Sequence, residues 1–317
     1  MPMPVINETW LWCLFFLLVT IVLGIDLWLL RGQKSHRVST REALSWTAVW
    51  VSLALSFNLV LWVYLYHTFG PAIAYEKSLE FLVSYLIEKS LSVDNLFVFI
   101  LIFQYFSIPA HHQRRLLQYG VISAIFMRLI IILFGIWLIN RFDWIFYVFG
   151  VLLLISALRI LFLGNEEKSL ETNLLIRLFS KIFRLSHEKI DGRFFILHNN
   201  QWYVTPMFIA LLFIEFSDLI FAIDSIPAVF AITRDPFIVF TSNVFAILGL
   251  RTLYFLISNM KEQFAYLSHG LAIILIFIGI KMLIHAYIEI PVLMTLGFII
   301  LVLAAAIALS WLLRKPH

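Results

Sequence analysis

The chain has 317 residues, of which 62% are hydrophobic and 13% charged, with a mean hydropathy of +0.96 and a formal net charge of +4. Soluble domains run nearer half apolar and a quarter charged, so a soluble globular fold is excluded. The single cysteine, Cys13, excludes an intrachain disulfide and a thiolate metal cluster, and the small positive excess carries no implication of nucleic-acid binding.

The hydropathy pattern predicts an all-α polytopic membrane bundle of nine spans, at 8–30, 43–66, 79–104, 116–139, 144–163, 205–232, 237–257, 264–286 and 291–313. The first has no basic residue ahead of its apolar run and no small-residue cleavage site behind it, only Arg31 and Lys34. It reads as a retained helix, not a removed signal peptide. Asp26 and Asn58, on the first two spans, are auxiliary polar groups, and hydration at the cytoplasmic end suffices to explain Asp26.

The third span carries Glu88-Lys-Ser-Leu-Ser-Val-Asp94-Asn95 near its centre. The fourth carries Arg128 and the fifth Arg159. Between the fifth and sixth lies the one sizeable loop, 164–204. In it Leu175, Leu178, Ile182 and Leu185 recur at helical spacing beside the basic stripe Arg177, Lys181 and Arg184. That pattern predicts a helix lying on an anionic membrane surface, with a solvated linker as the plain alternative. Phe194–Leu197 and Trp202–Thr205 flank a polar turn and predict a short hairpin.

The sixth span holds Glu215 and Asp218-Leu-Ile-Phe-Ala-Ile-Asp224-Ser225, followed by Pro227. The seventh holds Asn243 and Arg251, the eighth Lys281. Basic residues test the layout. With the N-terminus outside, the internal loops and tails hold fifteen Lys and Arg and the external loops only Lys77, Arg141 and Arg234. This places the N-terminus outside and the C-terminus in the cytoplasm.

The two acidic segments have the same spacing, Glu88 to Asp94 and Asp218 to Asp224. The next helices align as well: Tyr119–Arg128 matches Ser242–Arg251, and Arg159 falls on Lys281. Three successive helices therefore match three, and the triplets start on opposite sides of the membrane. The expected organisation is one transmembrane transporter domain over 1–317. Repeat one covers 79–163, a cytoplasmic loop 164–204, an inverted repeat two 205–286, and a ninth helix 291–313. Inverted repeats with a midplane site are one construction for alternating access. The ninth helix, outside the repeat, is either a dimer surface or a topological cap.

An ionised carboxylate at the middle of a spanning helix costs roughly 2.5–3.5 kcal/mol on insertion scales. Acids there imply bound cations, bound protons or buried bases. Glu88, Asp94, Asn95, Glu215, Asp218, Asp224, Ser225 and Asn243 form an oxygen-rich set suited to hard ions such as Mg²⁺, Ca²⁺ or Mn²⁺. No histidine falls mid-span; His67, His269 and His285 lie near span ends and read as interfacial. Glu215 and Asp218, three apart, share a helical face, whereas Asp224 is turned about 120° from Asp218 on a straight helix. Pro227 is expected to break the sixth span, turning Asp224 toward them and freeing carbonyls near Ile223.

The competing reading is internal pairing, with Arg128 and Arg251 neutralising two acids. Lys89 adjoins Glu88 but points about 100° away and need not pair with it. Arg159 and Lys281, near the ends of their spans, are expected to snorkel. The acids of the third and sixth spans still outnumber these bases, which favours a cation or proton role, and protonation of an acid in the empty state would make metal–proton exchange natural.

Three stretches resemble the TerC family of integral membrane proteins, in particular its Alx-like bacterial members: Tyr85–Phe99, Glu215–Phe230 and Asp235–Arg251. The resemblance runs over nearly the whole chain. It implies a manganese exporter of the bacterial inner (plasma) membrane, within a superfamily that includes the lysine exporter. It further implies that Glu88, Asp94, Glu215, Asp218 and Asp224 handle the metal, with Asn95 and Asn243 as weaker candidates. Mn²⁺ and the outward direction come from the resemblance alone. The residues by themselves indicate a hard divalent cation or protons.

No enzyme is expected. An intramembrane aspartyl protease requires a Gly-x-Gly-Asp type motif, absent around Asp94, Asp218 and Asp224, and Lys281 lies too near a span end for a retinal Schiff base. The alternative to a transporter is a metal-binding scaffold or metal-loading factor for other membrane proteins, built on the same acids.

Overall fold

The computed structural model describes residues 8–31, 40–142, 144–162, 193–198, 201–260, 266–285, 287–288 and 290–312. Its helices are α1 (Thr9–Arg31), α2 (Thr40–Phe69), α3 (Pro71–Tyr105), α4 (Ala110–Arg141), α5 (Trp144–Phe162), α6 (Pro206–Phe230), α7 (Pro236–Leu248), α8 (Leu250–Met260), α9 (Leu267–Ile284) and α10 (Val292–Leu312). Strands β1 (Phe195–His198) and β2 (Gln201–Val204) form an antiparallel hairpin ahead of α6, with His198 opposite Gln201. The expected surface helix over 175–185 lies outside the described residues.

Helix starts follow local chemistry. Thr205 caps α6 by accepting from the Phe208 amide, and Asp235 caps α7 by accepting from the amides of Phe237 and Ile238. Each cap is followed by a proline at the first helical position, where its missing N–H costs nothing. Gly70, at φ 92°, makes the sharp corner that lets α2 run directly into Pro71 and α3.

Among the described residues six helices are long and apolar enough to cross a membrane: α2, α4, α5, α6, α9 and α10. The bent pair α7–α8 makes a seventh if taken as one span. The outward side chains are apolar along these helices, with Leu59 and Val60 on α2, Phe126, Ile130 and Phe134 on α4 and Leu301 on α10 all exposed. An apolar surface of this extent is stable against lipid and not against water, and helices suit lipid because they satisfy their own backbone polar groups. The chain is thus an all-α polytopic membrane protein.

Helix α3 is the hub, packing on α2, α6, α7, α8 and α10. Helix α4 lies against α6 and α7, and α5 pairs along its length with α9. That last contact is a close backbone approach. A Cβ on Gly150 would lie 3.2 Å from the Gly279 carbonyl oxygen, and one on Gly279 would lie 3.0 Å from the Gly150 carbonyl oxygen. Small residues permit this spacing in membrane bundles. Helix α1 is held by rings: Trp12, Phe15 and Phe16 pack on Phe237 and Phe240 of α7. At its start Tyr64 of α2 and Trp10 both donate to Glu8.

Three expectations are corrected. Helix α6 continues through Pro227 to Phe230, so the proline does not end the helix. The seventh span, by contrast, is broken at Gly249, where α7 and α8 meet at 42°. Lys89 of α3 donates to the Ala246 carbonyl, 3.1 Å away, meeting the exposed carbonyls at the end of α7 with a positive charge. A Cβ on residue 249 would lie 2.6 Å from that ammonium, so glycine gives Lys89 its access. Second, α3 begins eight residues before the expected 79, which takes Lys77 out of the external loop and buries it in a helix. Third, Lys281 does not snorkel: it is buried on α9 and donates to Thr295 of α10 at 3.1 Å.

Candidate functional site

Four helices deliver polar side chains to one layer, buried at Glu88, Arg128, Asp218 and Asn243 and half-buried at Ser123 and Glu215. Helix α3 supplies Glu88, α4 supplies Ser123 and Arg128, α6 supplies Glu215 and Asp218, and α7 supplies Asn243. Arg128, at 0% exposure, is the largest fully buried side chain among the described residues. Its Nη1 donates to a Glu88 oxygen and to Asn243 Oδ1 at 2.8 Å. Its Nη2 reaches Asp218 Oδ1 at 3.3 Å, and Nε reaches Asp218 Oδ2 at 3.5 Å. Asn243 Nδ2 closes a ring by donating to the other Glu88 oxygen at 3.0 Å. Four of the five guanidinium donors are thereby directed at three side chains from three helices.

Glu215 lies one turn before Asp218 on the same face of α6. One of its oxygens accepts from Ser123 of α4; the other, Oε2, is buried with no hydrogen-bond partner in the structure. Gly120 makes room for this arrangement, since a Cβ there would lie 3.3 Å from Ile214 and 3.7 Å from Glu215 Oε1. Counted as ions, Glu88, Asp218 and Glu215 exceed Arg128 by two negative charges. A layer of this sign, out of water, attracts small cations.

Asn95 is buried two turns beyond Glu88, and Ser225 is buried two turns beyond Asp218, each on the face of its acid. The Ser225 hydroxyl has no hydrogen-bond partner in the structure. Asp94 and Asp224 stand on α3 and α6, and the placement of their side chains lies outside the described residues. Asn58 is buried on α2 with its Oδ1 unpartnered; the Asp26 side chain lies outside the described residues. His67, His269 and His285 are exposed near helix ends, away from the acid layer. Arg251, the expected counterpart of Arg128, lines a small cavity with Leu23, Trp50, Gln118 and Leu248. Among the described residues no three acidic, histidine or cysteine side chains are grouped so as to hold a metal.

A second buried polar layer escaped the sequence reading. Lys77 bonds Glu80 at 2.8 Å and lies 3.9 Å from Asp235, while Thr233 donates to Glu80 at 2.6 Å. This layer ties the first turns of α3 to the segment joining α6 and α7, about 12 Å along α3 from Glu88. The available signal was Lys77 and Glu80 at i and i+3, the spacing of a helical ion pair.

The fold and this layer define a polytopic helical membrane protein with an acid-rich, arginine-centred interior. The chain belongs to the Integral membrane protein TerC family, whose family model matches residues 73–317. It is 45% identical to the "Putative membrane-bound redox modulator Alx" of Escherichia coli strain K12 over 316 residues, covering 99% of this chain and 98% of that one. It is 43% identical to the membrane protein STKORF319 of Myxococcus xanthus, covering 99% and 95%. A membrane protein of Rickettsia bellii is 38% identical, covering 96% and 97%. No solved structure matches.

Proposed function

We propose that this protein is a secondary transporter that exports a hard divalent cation, Mn²⁺ by its family resemblance, through the buried acid layer. The observation that carries the reading is the meeting of Glu88, Asp218 and Asn243 around a single arginine, with carboxylates in excess and, one turn from Asp218, an unpartnered Glu215 oxygen. Asp94 and Asp224, six residues further along the same helices and turned about 120° from Glu88 and Asp218, are proposed with Asn95 as a second pair of cation-handling acids. All the donors are oxygens, the preference of Mn²⁺ over softer metals. Protons are the proposed exchange partner, taken up by an acid when the cation leaves.

Nine spans, counting α1, α3 and the α7–α8 pair, belong to this reading, with the N-terminus outside and the C-terminus in the cytoplasm of a bacterial inner membrane. The inverted repeat relates α3, α4 and α5 to α6, α7–α8 and α9. Helix pairing supports it: α3 against α7 mirrors α6 against α4, and the contacts of α3 with α6, α4 with α7 and α5 with α9 each map onto themselves. The redox role in the name of the Escherichia coli relative does not transfer as thiol exchange within one chain, because Cys13 is the sole cysteine.

Direct Mn²⁺ binding to the purified protein, followed by electron paramagnetic resonance of the free ion, tests the site. Wild type should bind and Glu215→Gln and Asp218→Asn should bind far more weakly. Equal binding by all three, or none by wild type, would contradict it. Binding by wild type without flux in vesicles would instead identify a metal-holding scaffold.

A further inference from the structure

We infer that Arg128 is a built-in counter-cation of the transport site, holding its acids when no divalent ion is bound and yielding Asp218 when one arrives. This rests on the cation-site reading above and adds a division of labour to it. Glu88 and Asn243 anchor the arginine, whereas Glu215 and Asp218 receive the ion.

The grip of Arg128 is uneven. On one edge, Nη1 is held by Glu88 and by Asn243 at 2.8 Å, and Asn243 is itself tied to Glu88 at 3.0 Å. That ring leaves both Glu88 oxygens engaged. On the other edge the Asp218 oxygens lie at 3.3 and 3.5 Å, the outer limit of useful hydrogen bonds. Asp218 is thus the carboxylate more readily taken. It is also the one beside a second acid: Glu215 shares its helical face, and Glu215 Oε2 is buried without a partner. Withdrawal of the guanidinium from Asp218 alone frees two oxygens next to that unpartnered one, all on one helix.

The chemistry of the group suits the role. A guanidinium keeps its charge in proteins, so its displacement requires no proton transfer at Arg128. It is planar and bidentate, which lets one side chain hold α3 and α6 together and release one of them. A divalent ion outcompetes it by greater charge at shorter range. An empty site closed by Arg128 crosses between its two orientations with fewer bare carboxylates in a medium that disfavours them. Arg128 therefore makes the return of the empty carrier possible while competing with the cargo.

That competition gives a sign opposite to that of a structural arginine. Purified wild type, Arg128→Gln and Arg128→Lys are titrated with Mn²⁺ in detergent, then reconstituted for radiolabelled Mn²⁺ flux into vesicles with or without Mn²⁺ inside. Arg128→Gln should bind Mn²⁺ roughly tenfold more tightly, the scale of one lost charged hydrogen bond. It should retain Mn²⁺–Mn²⁺ exchange while losing net flux into Mn²⁺-free vesicles. Arg128→Lys, a point charge unable to hold both edges, should also bind more tightly than wild type, and serves should Arg128→Gln not fold. Unchanged or weaker binding in a folded variant overturns the inference and leaves the cation site standing. Absence of binding by wild type overturns both.

Discussion

Glu88 and Asp218, each the first acid of a pair spaced six residues, accept hydrogen bonds from the same guanidinium. They stand 130 residues apart in the chain, on helices α3 and α6, which pack against each other. Arg128 of α4 thus joins the centres of three helices through one side chain. Such a buried network is strongly destabilised when one member is removed and the other charge is left bare.

Asp218→Ala should therefore lower the stability of the protein by about 3–5 kcal/mol, the range for breaking a buried pair. Asp218→Asn keeps an acceptor for Arg128 and should lose less. Thermal unfolding in detergent should rank wild type above Asn and Asn above Ala; equal midpoints would show that the network carries no stability.

Asp94→Ala and Asp224→Ala should abolish Mn²⁺ flux while the protein still inserts and purifies at normal yield. Wild-type flux in both variants at matched expression would remove these two acids from the proposed site.

At the crossing of α5 and α9 the obstacle to a larger residue is backbone, which cannot swing aside. Gly279→Ala should cost about 1–3 kcal/mol, the range for overpacking, because its methyl would press on the Gly150 carbonyl oxygen at 3.0 Å. Gly297→Ala, with open space around it, should be silent in the same thermal assay. Equal effects would contradict the close crossing.

The layer of Lys77, Glu80, Thr233 and Asp235 predicts a coupled pair. Lys77→Met alone should destabilise strongly by leaving Glu80 buried without its cation. Lys77→Met with Glu80→Gln should recover much of the loss, and a double-mutant cycle over the two sites measures the coupling. Additive losses would place Lys77 and Glu80 in independent environments.

The acids were legible in the sequence because carboxylates are costly inside a membrane, so their positions in α3 and α6 demanded an explanation. Arg128 was legible as a possible partner, but not its simultaneous hold on Glu88, Asp218 and Asn243, which depends on how four helices are arranged in space. Pro227 leaves α6 continuous for a local reason. Pro227 removes one donor, and α6 tolerates that loss three residues before its last residue. Gly249 removes no donor, and its break is stabilised by Lys89, 160 residues away in sequence. Lys77 was misread because charges near a span end look like loop when hydropathy is averaged, whereas Glu80 and Asp235 neutralise it inside the bundle. Position along the chain reported the charges well; which partner each one meets is a property of the packing.

Movement of a divalent cation across the membrane through this acid layer is what separates a carrier from a metal-holding scaffold. The direct measurement is Mn²⁺ flux in proteoliposomes loaded with a pH-reporting dye, with Asp218→Asn as the control. Flux by wild type, lost in the variant and accompanied by an opposing proton signal, is the predicted result. Tight Mn²⁺ binding with no flux under any imposed proton gradient would contradict it.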